Sequence, residues 1–313
     1  MNNIRTLALL ISTTLFAPLI SHAAAPTVNG TTINLQANLT PITTAANPAA
    51  IAKLPNGLKL AHPGEFTVGI AADGAAPLMV FADDNKTLVG SEPDIARLVA
   101  SALGLKLRIV PTSWEDWPLG VTSGKYDAAI SNVTVTKARK EKFDFATYRK
   151  DLLGFYVPTH SSITTISRAA DVAGKRIIVG SGTNQEAILL AWNQENIKAG
   201  LPALTPIYMT SSAAQTLALQ SGRADAWFGP NVNGAWQATQ TGRTHLVGNV
   251  DGGWPQAAHI AVTLKKGNDL APAVAAAIDG AIKDGSYQRV LNRWGEGIEA
   301  IPASEVNPAG LGD

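Results

Sequence analysis

Three neighbouring runs decide the fold class: FTVGIA at residues 66–71, SEPDIARLVASALG at 91–104 and LKLRIVPT at 105–112. The first and third are short, apolar and rich in β-formers, as buried strands are. In the middle run Ile95, Leu98, Val99, Ala102 and Leu103 recur at i, i+3, i+4, i+7 and i+8, which gathers them on one helical face. Gly104 can close that helix in the left-handed conformation. A strand, a helix and a strand make the βαβ unit of a largely parallel sheet.

The same unit recurs further along. KRIIVG, from Lys175, reads as a strand, and Thr183 with Glu186 three residues on forms a capping-box pattern before AILLAW. PIYMT, from Pro206, reads as a strand, Ser212 with Gln215 repeats the capping pattern before LALQSG, and ADAWFG is a strand again. Two separate α/β units imply two lobes. AAHIAVTLKKG then reads as a strand and AVAAAIDGAIKDG, from Ala273, as a helix. Tyr287, Val290, Leu291 and Trp294 form the apolar stripe of a terminal helix, which is read as core packing. The Pro- and Gly-rich end after Gly295 is expected to drape on the surface.

The N-terminus has Arg5 before an apolar run from Leu7 to Ile20 and the small-x-small triplet Ser21, His22, Ala23. That order predicts a cleavable signal peptide over residues 1–23 and release into the periplasm. Ala24 to about Lys59 has no sustained period and is expected to be a loosely ordered leader. The chain has no cysteine, so neither a lipid-anchored cysteine nor a disulfide is available. Lys plus Arg number 25 against 24 for Asp plus Glu, with no basic block to track a phosphate backbone, which argues against nucleic acid as a partner. His62, His160, His245 and His259 lack metal-ligand spacing, and no G-x-S-x-G or H-E-x-x-H motif occurs. No cofactor or metal is expected.

Binding chemistry concentrates in DAAISNVTVTKARKEKFDF, residues 127–145. Ser131, Asn132 and Thr134 should emerge at the carboxyl end of the strand DAAI, where open α/β sheets bind ligands. Arg139 follows with a planar fork suited to a carboxylate. In IIVGSGTNQEAI, residues 177–188, Gly180 and Gly182 permit close approach. The helix starting near Thr183 directs free N–H groups outward, so Thr183, Asn184 and Gln185 are candidates from the second lobe. Trp114, after the strand ending IVPT, offers an aromatic face. A surface Arg beside a polar loop and an ordinary Gly-containing turn remain open from these segments alone.

In order and spacing, VGSEPDIARLVASALG, WEDWPLGVTSGKYDAAISNVTVTKAR, FDFATY, VAGKRIIVGSGTNQEA, LALQSGRADAWF and IKDGSYQRVLNRWG resemble the polar amino-acid-binding receptors of ABC importers, the bacterial extracellular solute-binding family 3. The likeness runs from about Phe66 through Gly295. It implies an α/β fold of two lobes, a periplasmic binding protein type II, each lobe a mostly parallel sheet flanked by helices and joined to the other by two crossover strands. Residues 63–153 and 257–300 would build lobe one and 154–256 lobe two, with an extension at 24–62 and a tail at 301–313. It further implies a monomer that closes on a small ligand, a carboxylate, and docks on a permease of the inner membrane.

Carried over by position, Arg139 stands where the family clamps an α-carboxylate. Ser131, Asn132 and Thr134 stand where it places polar groups around carboxylate and amine, Asn184 and Gln185 match on lobe two, and Trp114 matches a wall. Where many members place an aspartate for the α-ammonium, this chain has Pro230, leaving Asn231 or Asp73 as candidates. Ala75 and Gly180 replace larger wall residues, which predicts a roomier pocket and a bulkier ligand, or one whose amine is absent or modified. Two other readings share the fold: a sensor that signals to a receptor, and a cyclohexadienyl-dehydratase-like enzyme with Glu115 as its acid or base.

Overall fold

The computed structural model describes residues 27–71 and 76–313. The expected signal peptide, Asp73 and Ala75 lie outside the described residues. Among the described residues no helix is long and apolar enough to cross a membrane.

The opening βαβ unit forms as expected: Glu65–Ala71 pairs in parallel with Lys106–Thr112, and the helix Ser91–Ala102 connects them. Phe66, Val68 and Ile70 are at most 1% exposed, and Ile95, Leu98 and Val99 of the helix join them in one core. Gly104 ends the helical turn at φ 68°. The first lobe's sheet runs Lys106–Thr112, Glu65–Ala71, Ala128–Ala129, His259–Lys265, Phe143–Lys150, parallel among its first three strands and antiparallel thereafter. Tyr287, Val290, Leu291 and Trp294 are buried in this core, so the terminal stripe is packing and the chain returns to lobe one.

The second sheet runs Thr205–Tyr208, Arg176–Val179, Ala226–Pro230, Leu152–Pro158, Thr244–Asp251. Its first three strands are parallel and the last two pair antiparallel. Its core stacks Phe155 between Phe228, at 4.0 Å between ring centroids, and Trp192, at 5.7 Å. The chain leaves lobe one through Phe143–Lys150, turns at Asp151 into Leu152–Pro158, and returns from Thr244–Asp251 to His259–Lys265. These two passages are the crossovers, and each lobe is a mixed sheet flanked by helices.

Two local expectations need correction. The leader is packed, not loose: Val28 is fully buried and Asn47 caps the short helix Pro48–Ile51, donating its side-chain N–H to Ala276 O at 3.1 Å. Scattered apolar residues suffice there because the body supplies the partner surface. The second capping pattern shifts by one residue, since Ser211 is the N-cap of Ser212–Gln220 and Gln215 donates to Met209 O at 2.9 Å. The C-terminal tail lies on the surface as expected, most of its residues exposed, and is held there by bridges pairing Val306 with Ala146 and Leu311 with Thr136.

Candidate functional site

A cavity opens between the two lobes, and both contribute to its wall. From lobe one come Trp114, Ser131 and Asn132, from lobe two Thr183, Asn184 and Gln185. Six of the ten sequence-derived candidates thus share one cavity. Ser131 and Asn132 follow Ala128–Ala129 at its carboxyl end, the place where strand order leaves a crevice. Asn132 has φ 52°, a left-handed conformation that asparagine tolerates, and its side-chain Oδ1 accepts from Arg149.

On the other wall, Thr183 is the N-cap of Asn184–Lys198, accepting from Glu186 N at 3.1 Å. The carboxylate of Glu186 accepts from Gly182 N, not from Thr183 itself. The helix N-terminus, with its partial positive charge, therefore opens on the cavity through three lining residues.

Three candidates lie outside the cavity wall. Thr134 is fully buried and its hydroxyl donates to Asp151 Oδ2 at 2.8 Å, the same oxygen that receives Asn184 Nδ2 at 2.7 Å. Asp151, at the crossover, thus ties a lobe-one residue to a lobe-two residue, and burial pushes its carboxyl up. Arg139 donates to Thr134 O at 2.8 Å and, across the cleft, to Gly182 O at 3.1 Å. Its guanidinium lies 5.4 Å from the Trp114 ring and 5.9 Å from Trp117, and burial pushes it down to about 10 against the opposing pull of Asp151. Asn231 Oδ1 accepts from the Tyr156 hydroxyl and from Asn249 Nδ2, each at 3.0 Å. Glu115 is exposed and does not line the cavity.

The lobes touch around the cavity's rim. Trp114 Nε1 donates to Ser181 O at 3.1 Å, and Asn233 Nδ2 donates to Ala76 O at 3.0 Å. Together with the Arg139 bond these contacts define a closed arrangement. Among the described residues no group of histidine and acidic side chains is arranged to hold a metal ion.

Several lining residues escaped the sequence reading. Tyr156, Met209, Gln215 and Gly234 widen the cavity into lobe two beside Trp227. A side chain at Gly234 would run into the Tyr156 ring, so that glycine lets the ring lie flat on the helix. Glu92 lines the lobe-one side although it sits in the first turn of a core helix. Its position there marks it as a helix-terminus acid, and nothing local separates that role from a cavity role.

The model of the bacterial extracellular solute-binding proteins, family 3, matches residues 67–297. The chain belongs to that family. Within it, the chain is 30% identical over 238 residues to the L-cystine-binding protein TcyJ of Escherichia coli (strain K12), covering 75% of this chain and 84% of that protein. It is 29% identical over 239 residues to the arginine-binding protein ArgT of Corynebacterium glutamicum, covering 75% and 76%. An ancestral arginine-binding protein bound to arginine superposes with a TM-score of 0.63 at 26% identity, over 74% of this chain and 98% of that one. An ancestral amino acid-binding protein described as a precursor of cyclohexadienyl dehydratase shares the fold, with a TM-score of 0.62 at 24% identity over 74% and 95%. The two-lobed type II architecture of a family 3 solute-binding protein is therefore the architecture of this chain.

Proposed function

We propose that this family 3 protein captures an amino acid or a related small carboxylate in the periplasm and delivers it to the permease of an ABC importer. The observation carrying this reading is the interlobe cavity lined from both sides by Trp114, Ser131, Asn132, Thr183, Asn184 and Gln185. A ligand held by both walls stabilises the closed arrangement by its differential affinity for it, and a partner that recognises the closed form then reads occupancy.

The helix N-terminus at Thr183 favours the anionic end of such a ligand. Arg139 is assigned as its cationic partner: the guanidinium already bridges the lobes beside Gly182, and exchanging a carbonyl acceptor for a carboxylate strengthens its bonds. Trp114 supplies an apolar face at the cavity wall. The breadth of the cavity beside Gly180 and Gly234 supports a ligand larger than the smallest amino acids.

The test is native mass spectrometry of exported, undenatured protein, followed by identification of any released molecule and calorimetric titration with the common amino acids and L-cystine. A bound amino acid or small carboxylate is expected. A protein that carries no such molecule and binds none in titration overturns the reading.

A further inference from the structure

The wall of the cavity is almost entirely uncharged. Among its described lining residues Glu92 is the sole ionisable acid or base of formal charge; the remainder are apolar, aromatic, hydroxyl or amide side chains. We propose that Glu92 is the anionic anchor of the cleft, receiving a cationic nitrogen of the bound solute from the lobe-one side. This deepens the solute-capture reading and rests on it.

What stands behind Glu92 supports the role. Arg149 Nη2 lies 3.4 Å from Glu92 and Arg149 Nε lies 3.3 Å from Glu296, while Nη1 meets Glu299, all with side chains at most 1% exposed. One guanidinium thus faces three carboxylates, so the group carries excess negative charge when all three are ionised. A structural ion pair needs one acid; two more behind it leave Glu92's charge under-compensated in a low-dielectric setting, where an arriving cation is worth most. Asn132 donates its backbone N–H to the Glu92 carboxylate from the cavity wall and the Tyr148 hydroxyl donates to Glu92 Oε2, neutral donors that orient the carboxylate and favour its ionised form without supplying a compensating positive charge.

An independent observation lies across the cavity. Gln185 is 5% exposed, lines the same space, and its side-chain Oε1 has no hydrogen-bond partner among the described residues. A buried acceptor left unpaired costs about 1–3 kcal/mol, and a ligand N–H relieves it. The helix N-terminus on lobe two and the carboxylate on lobe one give the cavity opposite electrical ends, which fits a zwitterion or a carboxylate bearing a basic group. Such a ligand meets its acid from lobe one, whereas the residue at the lobe-two acidic position is Pro230.

Protonation adds a second readout. Burial pushes Glu296 and Glu299 up to about 7 and raises Glu92, while Arg149 opposes each shift. The groups facing this cluster are Arg149 and Tyr148 from one strand, Tyr287 from the terminal helix and Asp151 at the crossover, with Asp94 and Arg293 farther along the packed helices. A cation at Glu92 favours the deprotonated cluster, so binding releases protons and affinity rises with pH through about 7.

The experiment is calorimetry on wild type, Glu92→Gln and Asp73→Asn with the common L-amino acids and L-cystine. Each binder is then compared with its 2-hydroxy acid, and a basic binder also with its uncharged isostere, such as citrulline for arginine. Wild type should prefer the cationic compound over one of these counterparts by roughly 10-fold or more, as for a buried charge-assisted bond. Glu92→Gln should lose most of that preference and Asp73→Asn should keep it. A preference unchanged in Glu92→Gln, or lost only in Asp73→Asn, overturns the proposal. Any solute released in native mass spectrometry joins the set. If the neutral counterparts bind wild type equally well, solute capture stands and the role of Glu92 falls; if no solute is released and nothing in the set binds, both fall. Should Glu92→Gln not fold, wild type alone decides: titration in two buffers of different ionisation enthalpy between about pH 6 and 8 should show proton release, and its absence overturns the proposal.

Discussion

Asn132 illustrates how one residue serves backbone, charge and cavity together. Its φ of 52° directs the peptide N–H toward Glu92 while its side chain accepts from Arg149. Asn132→Gly keeps that backbone freely but loses the bond to a charged donor, whereas Asn132→Ala loses the bond and adds left-handed strain of about 1–2 kcal/mol. Thermal denaturation should therefore rank wild type above Asn132→Gly and Asn132→Gly above Asn132→Ala. Arg139→Lys tests the other pole. A lysine carries the charge without the planar fork that spans Thr134 O and Gly182 O. A loss worth one charged hydrogen bond, about 1.5–3 kcal/mol or roughly 10- to 100-fold in affinity for a carboxylate ligand, is expected by calorimetry. Unchanged affinity would remove Arg139 from the site.

Among elements, the N-terminal hairpin pairing Thr27–Val28 with Thr31–Thr32 makes contacts beyond its own lobe. Asn29 Nδ2 donates to Gly295 O at 2.7 Å on lobe one, and Thr239 of the lobe-two helix Asn231–Thr241 donates its hydroxyl to Thr27 O at 2.7 Å. That helix also places Val232 and Trp236 in the lobe-one core. The hairpin therefore straps the closed arrangement. Deleting residues 27–34 should leave a cooperative fold but shift the ligand-free protein toward open forms. Small-angle scattering should then show a larger radius of gyration without ligand, and weaker apparent affinity should accompany it. Equal radii would show that the strap plays no part in closure.

On the scale of the whole molecule, burying three glutamates around one arginine makes stability depend on pH. Glu296 and Glu299 ionise near 4.5 when exposed and are held up to about 7 in the fold. The folded state therefore binds more protons than the unfolded one between those values, and their contribution is fully present below about 4.5 and lost as pH rises through about 7. Denaturant titrations should show this component of stability declining over that window. Glu299→Gln should flatten the decline, because the amide cannot ionise; an unaltered profile would assign the dependence to other groups. Ligand binding at the cleft acts on the same cluster through Glu92, which links closure of the lobes to the charge state of the core behind them.

What the sequence determined by itself was set by local periodicity and order. The apolar spacing of Ile95, Leu98 and Val99, the N-cap at Thr183 and the succession of strands and helices dictate two α/β units, because such patterns need only near neighbours to bury one face. The candidates after DAAI and IIVG were legible for the same reason: strand ends are local, and in such sheets they face the crevice. Other features became visible only in three dimensions. Thr134, Arg139 and Asn231 turn to protein partners because Asp151, Gly182 and Tyr156 reach them from distant segments. The leader packs because lobe one offers Val28 and Ala50 a surface that its own residues do not predict. Glu92 reads locally as an ordinary first-turn acid, and only the convergence of Arg149, Glu296 and Glu299 behind it, and of the cleft before it, changes its electrostatic setting. Periodicity is a property of a segment, whereas charge compensation belongs to whichever groups the fold brings together.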